Sequence, residues 1–346
     1  MLNFDYLYNF GIALAMIKNV YITSLLVAAS LGLSTMSLAA DRGTREPALK
    51  DLKNAVTAVF IGRQNNPLAN PVAGLERDIA VFKVDGLRQY ALVLQPRRTP
   101  PGSGWPVVIF NHGFHPTPHD NGRRTEDGVN DRPGDYYRLI PAAIARAGFL
   151  VVSPDYRGHN DSEGIEFVLR RDSPYWYARD VQGAFAITGN LDNIDPNNVF
   201  MLGHSMGAAV TLRAAAVLGD KIRGASLWSA ALIGPEKPST TMQYLSDYNE
   251  KDVQNAQPID LSALACALNI HHAVDDPVTA IATSTHLAKQ LHQRQKVVTL
   301  FTYDSPNHLF SDANFSSALA RDIEFFRRLI NPPKPSPRDA NVPLVR

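Results

Sequence analysis

Residues 199 to 207 read Val-Phe-Met-Leu-Gly-His-Ser-Met-Gly, a β-rich run that passes through a glycine-flanked serine into the alanine-rich stretch Ala208 to Ala216. A strand that turns this tightly into a helix belongs in a mostly parallel sheet with helices laid over it. The two glycines permit the strained turn that lifts a hydroxyl above the sheet edge. The helix begins just after Ser205, which frees the backbone N–H of Met206 to donate to a developing oxyanion. Ser205 is the candidate nucleophile and Met206 a candidate oxyanion donor.

The chain around this motif keeps the same alternation. Ile79 to Val84 and Tyr90 to Leu94 flank an Asp85-Gly86 turn and read as an antiparallel hairpin. Apolar or β-branched runs at Val107 to Asn111, Leu150 to Ser153, Val199 to Gly203, Gly224 to Trp228, Leu268 to His272 and Val297 to Tyr303 read as further strands. The total is about eight strands. Helical patterns lie between them at Tyr136 to Ala147, Tyr175 to Thr188, Met206 to Leu218, Ala280 to Gln293 and Ala313 to Ile330. Residues 233 to 262, with Pro235, Pro238 and Pro258 among polar residues, read as an excursion over the strand ends, a short cap. The expected fold is α/β, with helices on both faces of the sheet.

A serine hydroxyl near neutral pH needs a base, and the base needs an orienting carboxylate. In the loop after the last predicted strand, Tyr303-Asp304-Ser305-Pro306-Asn307-His308 supplies His308 as the base. The acid is expected in Ile270-His271-His272-Ala273-Val274-Asp275-Asp276-Pro277-Val278, with Asp275 preferred to Asp276, and Asp304 third. After Val107 to Asn111 the chain continues His112-Gly113-Phe114-His115, where Gly113 allows close backbone approach and the N–H of Phe114 is the second oxyanion donor. His112, His115, His119 and Asp120 carry metal-ligand chemistry, but Pro116 and Pro118 prevent a helix from aligning His115 with His119, and no metal is expected. Tyr175, Trp176, Tyr177 and Trp228, with Phe114, are candidates for the apolar walls of a substrate cleft.

Composition narrows the partner. With 34 Lys+Arg against 33 Asp+Glu, the chain has no general electrostatic reason to bind nucleic acid or an acidic membrane. The single Cys266 cannot form an intramolecular disulfide or a cysteine-based zinc site, so stability must come from a large core. Asn19 to Ala40 is uncharged, apolar through Leu33, follows Lys18 and ends in Ser37-Leu38-Ala39-Ala40, the pattern of a Sec-type signal peptide over 1–39. Translation starting at Met16 would give it a basic first segment. The expectation is export to a periplasmic or extracellular space, an uncleaved membrane anchor being the alternative, with no stable membrane partner after cleavage. Residues 40–76 then form an N-terminal arm, 77–330 the catalytic domain and 331–346 a proline-rich tail.

With these residues in hand, the chain resembles the α/β-hydrolases, most of all the catalytic domain of the prolyl oligopeptidase (S9-type) family and its esterase relatives. The resemblance covers about residues 105 to 330. It rests on His112-Gly113, on Ser153-Pro154-Asp155-Tyr156-Arg157-Gly158-His159 with Asp161-Ser162-Glu163-Gly164 beyond it, on Asp180, on Gly-His-Ser-Met-Gly, and on the acid loop and His308. In such families the acid follows a His-Gly-x-x-Asp pattern; here His271 is followed by His272, and the spacing selects Asp275, four residues after His271. Arg157 is expected to brace loops near the site. Epoxide hydrolases and haloalkane dehalogenases carry Asp at the elbow and dienelactone hydrolases Cys, whereas this elbow holds Ser205.

The resemblance implies a two-step acyl transfer through Ser205, His308 and Asp275, with no cofactor. S9 peptidases carry a large β-propeller, and only about 65 residues separate the predicted signal from the core. An open cleft suits small esters or short peptides, which places a carboxylesterase slightly ahead of an S9-type exopeptidase or dipeptidyl peptidase. A non-catalytic binding protein built on the same fold is the remote alternative.

Overall fold

The computed structural model describes residues 56–65, 73–114, 139–168, 173–232, 259–310 and 312–330, all within the unit Arg45–Arg346. The strands are β1 (Ala58–Asn65), β2 (Leu75–Val84), β3 (Leu87–Pro96), β4 (Trp105–Asn111), β5 (Leu150–Pro154), β6 (Ile194–His204), β7 (Gly224–Trp228), β8 (Ala267–Ala273) and β9 (Val298–Tyr303). They form one sheet of nine strands in the order β1-β2-β3-β5-β4-β6-β7-β8-β9. The ladders from β5 through β9 are parallel. The β1-β2-β3 ribbon and its junction with β5 are antiparallel. Asp85 and Gly86, at φ of 51° and 86°, make the hairpin loop between β2 and β3, a turn that needs positive φ at both positions.

Both faces of the sheet are covered, which is why its inner strands are apolar at every position rather than at alternate ones. Along β4, Val107 and Ile109 pack on one face and Val108 and Phe110 on the other. The first face carries helices α2 (Ser173–Ile187), α3 (Met206–Leu218) and α4 (Ile281–Gln293). The second carries α1 (Leu139–Arg146) and α5 (Asp312–Ile330). Helix α3 is buried from Met206 to Ala216, and its run of alanines lets the backbone lie close to the strands.

Two boundaries differ from those expected. Residues 40–76 were expected to be an arm, yet Ala58–Asn65 is an edge strand of the sheet and β2 already begins at Leu75. A bulge between Phe60 and Gly62 interrupts the period-2 pattern. Val56, Ala58 and Phe60 face the core, whereas Val59 and Ile61 are about half exposed at 53% and 52%, so apolar residues on both faces hide the strand. The signal peptide over 1–39, Met16, the tail over 331–346 and most of the 233–262 excursion lie outside the described residues. Of the excursion, Leu261–Ala263 forms a short 3-10 turn. Among the described residues, no helix is long and apolar enough to cross a membrane.

The loop after β5 is tied to the hairpin and to α2 by charge. Arg157 donates from Nε and Nη2 to the Asp180 carboxylate, the shortest contact being 2.7 Å, and from its backbone N–H at 2.8 Å. Both side chains are 1% exposed, and the guanidinium lies over Phe167 and Trp176 at 4.8 and 5.2 Å. Asp85 of the hairpin turn accepts from Arg179 at 2.7 Å and stands 3.7 Å from Arg157. The bracing role expected for Arg157 is thus a buried, bidentate one. Arg157→Met keeps much of the stem but strands the buried Asp180 carboxylate, and should lower stability by about 3–5 kcal/mol in urea unfolding.

Candidate active site

The turn between β6 and α3 is strained as the motif requires. Ser205 sits at φ 55°, ψ −122°, outside the usual regions for a residue with a Cβ. The surroundings hold it there: its N–H donates to the Trp228 carbonyl at 2.9 Å, and its carbonyl accepts from Ala208 and Ala231 at 3.0 and 3.1 Å. Gly203 and Gly207 are sterically required. A Cβ on Gly203 would meet the Gly207 carbonyl at 2.2 Å, and one on Gly207 would meet the carbonyls of Asn111 and His112 at 2.1 and 2.4 Å. The first turn of α3 therefore rests directly on the end of β4. The Asn111 amide donates to Thr211 Oγ1 at 2.7 Å across the same contact.

His308 follows β9, Asp276 follows β8 and Ser205 follows β6, so all three lie at the carboxyl edge of the sheet, where ligands bind in open α/β sheets. His308 Nδ1 lies 3.0 and 2.8 Å from the two Asp276 oxygens. On the opposite side of the ring, Nε2 is buried and has no hydrogen-bond partner among the described residues. Asp276 also accepts from the N–H groups of Val278 and Thr279 at 2.8 and 3.0 Å and from the Thr279 hydroxyl at 2.9 Å. Burial alone would raise its pKa. The hydrogen bond and charge of His308, with the backbone donors, outweigh burial and hold the carboxyl well below the usual range. The elbow residue His204 donates from Nε2 to the His308 carbonyl at 3.1 Å and packs ring against ring at 4.6 Å. Desolvation pushes the His204 pKa well down, which keeps it a neutral clamp.

Asp275, preferred on spacing, is not the partner of His308. It is exposed in the turn after β8, while its neighbour Asp276 faces the imidazole. The His-x-x-x-Asp spacing has a second register: counted from His272, with the small Ala273 in the place of the family glycine, it selects Asp276. His272 supports this turn from below, hydrogen-bonded to Ser284 Oγ at 2.7 Å and to the Thr279 carbonyl at 2.9 Å. The latter bond stands beside the Asp276 carboxylate, 3.5 Å from the ring.

The loop that carries Phe114 is anchored through His112, whose Nδ1 lies 2.7 Å from the Gly113 carbonyl and whose Nε2 lies 3.2 Å from that of Asp155. Tyr156 donates its hydroxyl to the His112 carbonyl at 3.3 Å and stacks on the His112 ring at 4.2 Å and on Tyr177 at 4.9 Å. Since α3 rests on the carbonyls of Asn111 and His112, the N-terminal amides of α3, Met206 first, and the Gly113-Phe114 segment share one end of the sheet. Sequence reasoning passed over His204, Thr279 and Tyr156; the positive φ of Tyr156, 64°, marks the sharp turn that seats its ring on His112.

The aromatic candidates separate. Trp228 is wholly buried and gives its Nε1–H to Asp322 on the α5 side of the sheet, so it is a core residue and not a cleft wall. Tyr175 and Tyr177 are likewise 4% and 2% exposed in the core. Trp176 is partly buried against the core, and its ring meets Arg157 and Phe167. Phe114 is partly buried. His115, His119 and Asp120 lie outside the described residues. Cys266 is buried, and desolvation raises its thiol pKa to about 11.

Comparisons with known proteins agree with this fold. The family model described as serine aminopeptidase, S33, matches residues 127–260, which include the elbow. Lysophosphatidylserine lipase ABHD12 of Danio rerio is 23% identical over 192 residues, 51% of this chain and 44% of the lipase, so the match spans less than half of that relative. A Mycobacterium tuberculosis puromycin-hydrolyzing peptidase superposes with a TM-score of 0.55 at 19% identity, over 75% of this chain and 40% of that one. Est1E from Butyrivibrio proteoclasticus, with ferulic acid bound, gives 0.52 at 20% identity, over 71% and 97% of the two chains. At these identities the structural likeness speaks for the fold.

The choice between the two carboxylates has a direct test. Asp276→Asn should lower kcat on any turned-over substrate by about three to four orders of magnitude, whereas Asp275→Asn should stay within about twofold, as read by steady-state kinetics. Stability should follow the sign of the Asp276 shift. A depressed carboxyl contributes fully above its ordinary pKa, near 4, and loses that contribution as pH falls through the folded value. The stability gap between wild type and Asp276→Asn in urea titrations should therefore narrow from pH 7 toward acid.

Proposed function

We propose, for a chain that belongs to the α/β-hydrolase superfamily, that it is a serine hydrolase in which Ser205, His308 and Asp276 form the catalytic triad. The observation that carries this reading is the His308 ring: one nitrogen is held by a buried carboxylate, and the other is buried and, among the described residues, unpartnered beside a strained serine elbow. Ser205 Oγ attacks the substrate carbonyl carbon as its proton passes to His308 Nε2. The tetrahedral oxyanion is received by the N–H groups of Met206 and Phe114. Collapse breaks the bond to the leaving group, which departs with the proton from His308, and leaves an acyl-serine. Water, deprotonated by the same imidazole, attacks the acyl carbon and releases the acid and free Ser205. Asp276 fixes the tautomer that presents Nε2 as acceptor and stabilises the imidazolium formed at each transfer.

The substrate is a small carboxylic ester. The match to a lipase and the likeness to Est1E support it, as does the near-neutral charge balance. The match to the serine aminopeptidase model and the likeness to a puromycin-hydrolyzing peptidase favour short peptides or amides as the second reading. Both use the same acyl-enzyme. Export through the segment 1–39 is part of the proposal, supported by the uncharged stretch and the small residues at Ser37 to Ala40; N-terminal sequencing of the secreted or periplasmic form checks it.

A fluorophosphonate probe should label wild type at Ser205 and leave Ser205→Ala unlabelled with its melting temperature little changed. Assayed side by side, p-nitrophenyl acyl esters should turn over faster than aminoacyl or prolyl anilides. Faster anilide cleavage would select the peptidase reading, and equal turnover by Ser205→Ala would overturn the mechanism. Thiol reagents at pH 8 should leave the wild-type rate intact, because Cys266 is buried and protonated there.

A further inference from the structure

We infer that Asp322, on α5 and outside the triad, is a positioning residue that sets the relative placement of Ser205, Asp276 and His308. This inference rests on the proposed function and adds a part to it. Asp322 is fully buried. Its Oδ2 accepts from Ser226 Oγ and Trp228 Nε1, both at 2.7 Å, and its Oδ1 from Asn269 Nδ2 and His271 Nε2, both at 3.0 Å. Ser226 and Trp228 belong to β7, and Asn269 and His271 to β8. The His271 ring continues to β9, with Nδ1 2.7 Å from the Tyr303 hydroxyl, which accepts from Arg321 at 3.1 Å. An ionised carboxylate is acceptor-only, so His271 Nε2 donates to Asp322, and the hydrogen bonds run without a break from Arg321 through Tyr303 and His271 to Asp322. Burial would raise the Asp322 pKa, but His271 and the hydrogen bonds from Ser226 and Asn269 outweigh it and keep the carboxyl low.

Through Trp228, His271 and Tyr303 this network reaches the backbone next to each of the three proposed triad segments. The Trp228 carbonyl holds the Ser205 N–H at 2.9 Å. The His271 carbonyl holds the Ser229 N–H, and the Tyr303 carbonyl holds the N–H of Val274, at the start of the turn that carries Asp276, both at 2.8 Å. Trp228 and Tyr303 grip the Phe310 ring at 5.2 and 4.7 Å, two residues beyond His308. A single carboxylate on α5 thus ties β7 and β8 directly, and β9 through His271 and Tyr303, at the ends where the proposed acid and base emerge and beside the carbonyl that holds the proposed nucleophile. A displacement of about 1 Å there is enough to cost a large factor in rate.

Asp322→Asn keeps the shape but places an NH2 group against buried donors. Its kinetics should be read on short p-nitrophenyl esters, per site titrated with a fluorophosphonate, well below the melting temperature. The comparator is Phe326→Leu, a core change on α5 that touches none of these hydrogen bonds. Asp322→Asn should lower kcat per titrated site by about tenfold or more with KM within about threefold, while Phe326→Leu, compared at equal loss of melting temperature, stays within about twofold. Should Asp322→Asn fail to fold, Tyr303→Phe removes the hydroxyl with the phenyl ring retained, Trp228→Phe removes the indole donor with a smaller aromatic ring in its place, and each should lower kcat per site by about threefold or more. Rates per site within about twofold of wild type in Asp322→Asn, or in both single-link variants, overturn the inference while the triad stands. A wild-type chain that neither takes the probe nor turns over ester overturns the proposed function, and this inference with it.

Discussion

The close approach of α3 to β4 is the contact from which the candidate site follows. No Cβ fits between Gly207 and the carbonyls of Asn111 and His112, so the first turn of the helix is pressed against the end of a neighbouring strand. That contact brings two sets of backbone donors, at the helix N-terminus and after Gly113, to the same end of the sheet. It also forces Ser205 into its positive-φ turn. The cost of that turn, on the order of 1–3 kcal/mol, is met by three backbone hydrogen bonds at Ser205 rather than by local propensity.

Two hydrogen-bonded Asp–His pairs lie among the described residues, and their difference separates chemistry from architecture. In the Asp322–His271 pair both ring nitrogens are engaged, the carboxylate is saturated by donors and the rings of Phe301 and Tyr303 stack alongside. Nothing in it is left to accept a proton from outside. In the Asp276–His308 pair one ring nitrogen is engaged and, among the described residues, the other is not. The same residue types are inert in one setting and suited to proton transfer in the other, because satisfied buried polar groups rigidify a core and an unsatisfied one retains reactivity.

The sequence made the elbow legible because there the fold signal and the chemical signal occupy the same nine residues. The parallel strands were legible too, since burial on both faces writes them as continuous apolar runs. The acid was harder. Asp275 and Asp276 are adjacent and chemically identical, and paired histidines at 271 and 272 offered two registers of the same spacing. Which carboxylate turns inward depends on the Thr279 and Val278 donors, a three-dimensional fact. Trp228 misled for a related reason: an aromatic at a strand end is equally consistent with a cleft wall or a core, and its indole donor found Asp322, remote in sequence. β1 was missed because a bulge broke its alternation.

The bonds that hold Ser205 reach forward along the chain. Its N–H and one of its carbonyl partners lie at Trp228 and Ala231, and the proposed acid and base come later still, at 276 and 308. Chains emerge from synthesis N-terminus first, and long-range contacts form late. A nascent chain released only as far as α3 therefore has its elbow glycines and serine but lacks the strand that would lock the turn. The proposed nucleophile is therefore among the last features to take shape, and a prematurely terminated chain lacks the residues on which the proposed hydrolase depends.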